Sequence, residues 1–339
     1  MPAWWRGAVS KVARAQAFGP AVVAIILYVF FVLVSPGSGF VGAAGTASWL
    51  DTTADLGIVA MPVALLMIAG EFDLSVGSMV GGGSITVGLL TGYLGLPLWL
   101  SIVIGLVLGA LVGLLNGFLV TRTKLPSFIV TLGTNFIVLG AGITIGDAVM
   151  HSTIATVETS GWFSELFKGK IGDFDVSVIW WIVVVLIAAW VLRRSRYGNW
   201  IMATGGDADK ARRSGVLTSR VKITLFVCTA VAASFVGMLE AVKFGTGDPT
   251  SGSSFVFEAP IVAVLGGVLL TGGYGSILGV VFGLLIYGIS NAGLFYAGWD
   301  VNLTQVVLGV LLLVAVLSNN RLRQIALAPI RAARKGLTK

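Results

Sequence analysis

The 339-residue sequence holds one cysteine, Cys228, one histidine, His151, and only 11% charged residues. Each scarcity excludes something. One cysteine forbids an internal disulfide, and the apolar run around Cys228 predicts a packed small hydrophobe. His151 has no His or Cys partner at helical spacing, which argues against a zinc enzyme. No Gly-x-x-x-x-Gly-Lys-Ser/Thr run occurs, so the chain has no P-loop with which to hold ATP. The charged fraction falls far below the ~25% of soluble domains, leaving too little polar surface to cover a core in water.

Apolar residues are what the chain has in quantity: 56% are hydrophobic, 46 are glycine, and mean hydropathy is +0.97. The glycines keep no three-residue period, which removes collagen, and they suit close helix packing in lipid. A membrane helix takes ~20 mainly apolar residues. Ten segments qualify, near 18–35, 52–70, 74–94, 97–120, 126–145, 176–192, 218–242, 257–270, 275–295 and 302–318. The first lacks a small-residue cleavage site and reads as a membrane helix rather than a signal peptide. The expected fold is an all-α polytopic membrane protein with about ten transmembrane helices.

Charge tests that count. With the N-terminus in the cytoplasm and ten crossings, 19 of the 22 Lys and Arg fall in inner segments, and only Lys168, Lys170 and Lys243 do not. Basic residues gather on the cytoplasmic face of membrane proteins, which also explains the net charge of +7 without nucleic acid. Two joins are long: an outer, periplasmic loop over 146–175 and an Arg-rich inner loop over 193–217. Long loops between packed elements are often functional.

Several local patterns carry meaning. Gly105, Gly109, Gly113 and Gly117 form a small-residue stripe on one helix face, which lets a neighbouring backbone approach. Leu108-Gly109-x-x-x-Gly113-Leu114-Leu115 echoes Leu278-Gly279-x-x-x-Gly283-Leu284-Leu285, a weak sign of two repeated halves. Gly70-Glu71-Phe72-Asp73 interrupts the apolar region with two carboxylates, which must face protein, water or a helix N-terminus. Asp73 suits a cap for a helix starting at Leu74, and Glu71 a place at a pore or gate. Asn116, Asn135 and Asn291 also lie at membrane depth, where each suits either a wet pathway or helix association. Glu240 and Lys243, spaced i, i+3, can neutralise each other. Trp162, Trp180, Trp181 and Trp299 suit interfacial belts. In the inner loop, Asp207 is an N-cap and Gly215 a C′ residue of a short helix through Ala208, Asp209, Lys210, Ala211, Arg212, Arg213 and Ser214.

These motifs together resemble the sugar-type permeases of bacterial ABC importers, the membrane subunits of ribose, xylose, galactose and inositol uptake. The resemblance rests on Gly70–Gly77, on Pro126-Ser127-Phe128-Ile129-Val130-Thr131-Leu132-Gly133, on Arg196-Tyr197-Gly198 with Gly205–Val216, and on Val264–Gly267 with Gly272–Ser276. It covers nearly the whole chain. It implies one transmembrane permease domain over 1–339 in the bacterial inner membrane, with both termini cytoplasmic. It implies partners as well: an ATPase subunit that receives the helix near 207–215, a solute-binding protein, and a second permease copy. No cofactor, metal or catalytic residue is implied, and ATP hydrolysis belongs to the other subunit. The chain departs from the pattern at Glu71, where glycine is usual, at Asp207, where asparagine is usual, and at Pro260. Two other readings stand beside this one. An ion-coupled secondary transporter would use Glu71, Asp73, Glu240 and Glu258, although it needs no docking helix. An ABC permease could equally carry another small solute, such as an amino acid or nucleoside.

Overall fold

The structure, a computed structural model, describes residues 17–157, 159 and 161–317. The basic residues expected at the two chain ends, and Glu158, lie outside these. In lipid every backbone N–H and C=O must find a partner within the protein, so the apolar runs fold as helices. Helix α1 spans Phe18–Val34, α2 Ala43–Ile68, α3 Val76–Val87, α4 Leu98–Thr123, α5 Ser127–Met150 and α6 Trp162–Lys168. Helices α7 (Ser177–Arg194), α8 (Arg196–Gly206), α9 (Ala208–Arg213) and α10 (Thr218–Phe244) follow. The last are α11 (Phe255–Leu265), α12 (Ile277–Tyr296) and α13 (Leu303–Leu317). A π-helical stretch, Gly88–Tyr93, extends α3. Strands β1 (Ala155–Thr156) and β4 (Thr246–Gly247) pair antiparallel, as do β2 (Lys170–Ile171) and β3 (Phe174–Asp175).

The chain is an all-α membrane protein. Each of the ten apolar segments carries a helix, and six of these, α2, α4, α5, α7, α10 and α12, are individually long and apolar enough to cross a membrane. Three boundaries differ from the sequence reading. Helix α2 begins at Ala43, well ahead of residue 52, because Thr46, Ser48, Asp51 and Thr52 dilute the hydropathy of a stretch that is still helical. Helix α5 continues to Met150, so Asp147 belongs to it rather than to the loop. Helix α11 stops at Leu265 and is only 11 residues long.

The helices sort by what surrounds them. The most apolar window of α2 is 89% buried, whereas that of α5 is 11% buried. Helices α2, α10 and α12 form the core, and α1, α4, α5, α7 and α13 turn apolar faces outward through Ile25, Leu111, Ile137, Leu186 and Leu313. Burial runs opposite to that of a water-soluble protein: Asp73, Asn116, Thr131 and Thr229 are fully enclosed. Lipid gives apolar side chains no reason to avoid it, so helix contact depends on close packing and polar bonds. The glycine stripe of α4 supplies the packing. Side chains at Gly105, Gly113 and Gly117 would collide with Met238, with the Phe226 carbonyl and with the Ile223 backbone of α10.

Three smaller expectations are corrected. Cys228 is exposed rather than packed. Trp181 is buried against Gly57 of α2 instead of sitting in an interfacial belt. Lys243 pairs with Asp175 and Asp55, not with Glu240, because the β2–β3 hairpin brings Asp175 to the end of α10.

Candidate functional site

Helix α2 ends at Ile68 and α3 starts at Val76, with a non-helical stretch between them. The break leaves backbone donors without intrahelical partners, and neighbouring helices supply acceptors for several of them. The Phe72 N–H donates to Ser127 Oγ (3.0 Å) and the Leu74 N–H to Thr131 Oγ1 (3.0 Å), both on α5. The Ser78 N–H donates to Asn135 Oδ1 (3.2 Å), also on α5. The Pro126–Gly133 motif thus has a physical role, since its hydroxyls clothe the broken strand of backbone.

Asp73 lies at the centre. Its Oδ1 accepts the Ser75 N–H (3.0 Å) and the Ser75 hydroxyl (2.5 Å), while Oδ2 accepts the Thr229 hydroxyl from α10 (2.5 Å). Asn116 of α4 donates Nδ2–H to Ser75 Oγ (3.0 Å) and accepts the Thr134 hydroxyl of α5 at Oδ1 (2.6 Å). The network that starts at this carboxylate and runs through Ser75 and Asn116 therefore joins α3, α4, α5 and α10. The expected cap for a helix from Leu74 is corrected: the helix begins two residues later with Ser75 at its N-cap position, and the Leu74 amide goes to Thr131. Asp73 holds the turn before the helix. Glu71 forms a partly buried ion pair with Lys222 near the start of α10. Of the five polar residues expected at a pathway, the structure gathers Glu71, Asp73, Asn116 and Asn135. Asn291 sits apart on α12, which packs against α1 and α2. Sequence reasoning missed Thr229, Ser127, Thr131 and Lys222. Ser127 and Thr131 lie within the Pro126–Gly133 motif, which marked their importance but not their role, and Thr229 and Lys222 carried no signal beyond a hydroxyl or amine in an apolar helix.

The inner loop is more ordered than its composition suggested, with α8 and α9 in series. Asp207 caps α9: its Oδ1 accepts the Lys210 N–H (3.0 Å). At the other end the Gly215 N–H donates to the Arg212 carbonyl and the Val216 N–H to the Ala211 carbonyl, both at 3.0 Å, with Gly215 at φ +87°. That pair of bonds and the left-handed glycine form a Schellman motif, so the short helix is closed at both ends. Hydrogen bonds from Lys210 hold the Asp207 carboxyl below the usual carboxylate range. The cap is therefore intact above that range and is lost only as pH falls through the lowered value. The basic face is less free than expected, because Lys210 pairs with Asp207 (2.8 Å) and Arg212 with Asp209 (2.5 Å). Such exposed pairs are weak and exchange readily. Ala211 is buried against the protein's own body.

Glycines connect the end of α8 to the break. Gly205 and Gly206, just before Asp207, meet Gly70 after α2 and Gly272–Gly273 between α11 and α12. The Gly273 N–H donates to the Ile68 carbonyl (2.8 Å), and a Cβ at Gly272 would lie 2.8 Å from Gly70 Cα. Backbone touches backbone here, so no soft side chain lies between the end of α8 and residues 68–71.

The profile of a family described as "Branched-chain amino acid transport system / permease component" matches residues 45–316. The chain belongs to that family. It is 32% identical to the fructose import permease protein of Rhizobium meliloti, over 91% of this chain and 87% of the relative. It is 34% identical to a probable ABC transporter permease protein of Escherichia coli (strain K12), over 90% of each. It is 30% identical to the ribose import permease protein of Bacillus subtilis (strain 168), over 90% of this chain and 93% of the relative. No solved structure matches.

Proposed function

We propose that this chain is the permease subunit of an ATP-driven importer for a monosaccharide or related polyol. The observation that carries this reading is similarity at 30% identity or above, across nine-tenths of the chain, to permeases named for fructose and ribose import. The family's description names branched-chain amino acids, and the sugar-importing relatives favour the hydroxylated solute.

In this reading the chain crosses the bacterial inner membrane ten times with both termini in the cytoplasm. The shorter helices α1, α11 and α13 and the α3–π segment supply the crossings beyond the six long ones. Two halves built around Gly109–Gly113 and Gly279–Gly283 are supported by the shared role of these glycines, each pair admitting a neighbouring helix. Two copies form the pore by alternating access. A solute-binding protein delivers solute at the 151–176 side, and an ATPase subunit holds the segment Asp207–Gly215. The chain makes and breaks no bond itself. ATP-driven movement of α9 passes through Gly205–Gly206 to Gly70, and from there to Glu71 and Asp73, which gate the solute's passage.

The test is reconstitution in vesicles with the ATPase and binding protein, measuring uptake of radiolabelled fructose, ribose, galactose and leucine. Accumulation of a sugar that needs ATP and both partners is expected. Uptake of leucine alone, or uptake driven by an ion gradient without the ATPase, overturns the reading.

A further inference from the structure

Between β4 and α11 the chain does something the hydropathy pattern hides. Residues Asp248-Pro249-Thr250-Ser251-Gly252-Ser253-Ser254 form a string of turns that runs back alongside α3. Its level in the bundle follows from its contacts. The Asp248 N–H donates to Ser84 Oγ (3.0 Å), Gly81 abuts the Pro249 carbonyl, Gly252 packs on Val80, and Gly77 faces Val256. Val80 also packs against Gly237 of α10, while Gly105 of α4 meets the adjacent Met238.

Those partners give the depth. Gly237 lies seven residues before Phe244, the end of α10, which is about 10 Å of helix rise. Gly105 lies seven residues after Leu98, again about 10 Å, and α4 already presents Trp99 and Val103 outward along that length. Gly252 therefore sits well below the edge of the apolar belt, and Ser253 and Ser254 lie deeper still. Yet Thr250, Ser253 and Ser254 are exposed.

Irregular backbone and hydroxyl side chains at membrane depth occur only where they are enclosed by protein or face a water-filled cavity. The inner side of the segment is enclosed by α3, with Gly142 of α5 against Pro249. The outer side is open. Asp248 Oδ1 already accepts the Thr250 N–H and hydroxyl (both 2.7 Å), and the Ser254 hydroxyl donates to Glu258 Oε2 (3.0 Å), so two carboxylates flank the row. Phe257, 65% exposed, adds an aromatic face one turn into α11.

We propose that Asp248–Ser254, the non-helical stretch that leads into α11, lines the aqueous solute pathway, and that its hydroxyls and flanking carboxylates bind the hydroxyl groups of the passing solute. This rests on the permease reading above and names the surface that the solute touches. A ring bearing neighbouring hydroxyls matches a site that offers hydroxyl donors and carboxylate acceptors beside an apolar aromatic face.

The experiment uses the full chain reconstituted with its ATPase and binding protein, with Cys228→Ala as background. Thr250→Cys and Ser253→Cys are compared with Leu111→Cys, on the exposed apolar face of α4. The probe is a charged, membrane-impermeant methanethiosulfonate, and the readouts are modification rate by mass spectrometry and sugar uptake. Modification at 250 and 253 is expected at least about tenfold faster than at 111, with a similar loss of uptake and slower modification in the presence of the transported sugar. No modification, modification that leaves uptake intact, or a spontaneous disulfide between two copies that shuts the reagent out overturns the pathway assignment. Modification that the sugar does not slow overturns the solute contact. Failure of the permease reading shows separately, as absence of uptake by the unsubstituted protein.

Discussion

Replacing Asp73 with alanine removes three hydrogen bonds at a fully buried position. The Ser75 amide is then an unpaired buried donor, at a cost of about 1–3 kcal/mol, and each hydroxyl bond lost from the carboxylate adds about 1.5–3 kcal/mol. Thr229 keeps the Phe226 carbonyl within reach (2.9 Å), and the Ser75 hydroxyl still accepts from Asn116 (3.0 Å). The net loss is therefore nearer ~4 kcal/mol than the full sum. Asp73→Asn keeps an oxygen for Ser75 and offers an N–H to the Thr229 hydroxyl, so about 1 kcal/mol is expected. Asp73→Ser reaches Ser75 but not Thr229 and falls between, at roughly 2–3 kcal/mol. The assay is equilibrium unfolding of purified protein in mixed micelles, with the denaturing detergent fraction as the variable. An alanine variant within ~1 kcal/mol of wild type refutes the four-helix junction, since that is the magnitude of a lost helix cap. Equal losses for Ala and Asn instead assign the whole effect to the charge.

Two further outcomes follow from the same geometry. Lys222→Met leaves the Glu71 carboxylate unpaired in a partly buried site, and about 2 kcal/mol of stability is expected to go, discounted from a fully buried pair for the remaining exposure; adding Glu71→Gln should recover most of it, and a double variant no better than Lys222→Met denies the pair any role. Gly113→Leu places a side chain against the Phe226 carbonyl and should cost about 3 kcal/mol or more by parting α4 from α10, whereas Gly133→Leu, with open space around it, should leave the same unfolding midpoint unchanged.

The sequence disclosed most where one local rule decided the structure. Helix locations followed from apolar run length, and the caps of α9 from Asp207 and Gly215, because capping is settled within a few residues. It disclosed least where distant segments decide. Thr131 and Thr229 look like ordinary helix residues until the fold brings them to the break, so Asp73 appeared to cap a helix that starts two residues later. The start of helix α2 is hidden because four polar residues near it lower hydropathy, although Ser48 and Thr52 are exposed and the Thr52 hydroxyl bonds the Ser48 carbonyl within the helix. Asp248–Ser254 falls between the apolar segments 218–242 and 257–270, where hydropathy marks only a join. Turn residues announce a loop, but only contacts with Val80 and Pro249's neighbours on α3 reveal its depth.

In the proposed mechanism α9 carries the work of ATP hydrolysis to the break at Gly70–Asp73. The most direct test of this mechanism is sugar imported per ATP hydrolysed in reconstituted vesicles carrying Gly215→Val or Gly215→Asn. Gly215 has open space where a side chain would stand but sits at φ +87°, which strains a β-branched residue and suits asparagine far better. Gly215→Val should insert normally and lose at least about tenfold in sugar imported per ATP, while Gly215→Asn stays close to wild type. Wild-type stoichiometry in the valine variant would contradict the account.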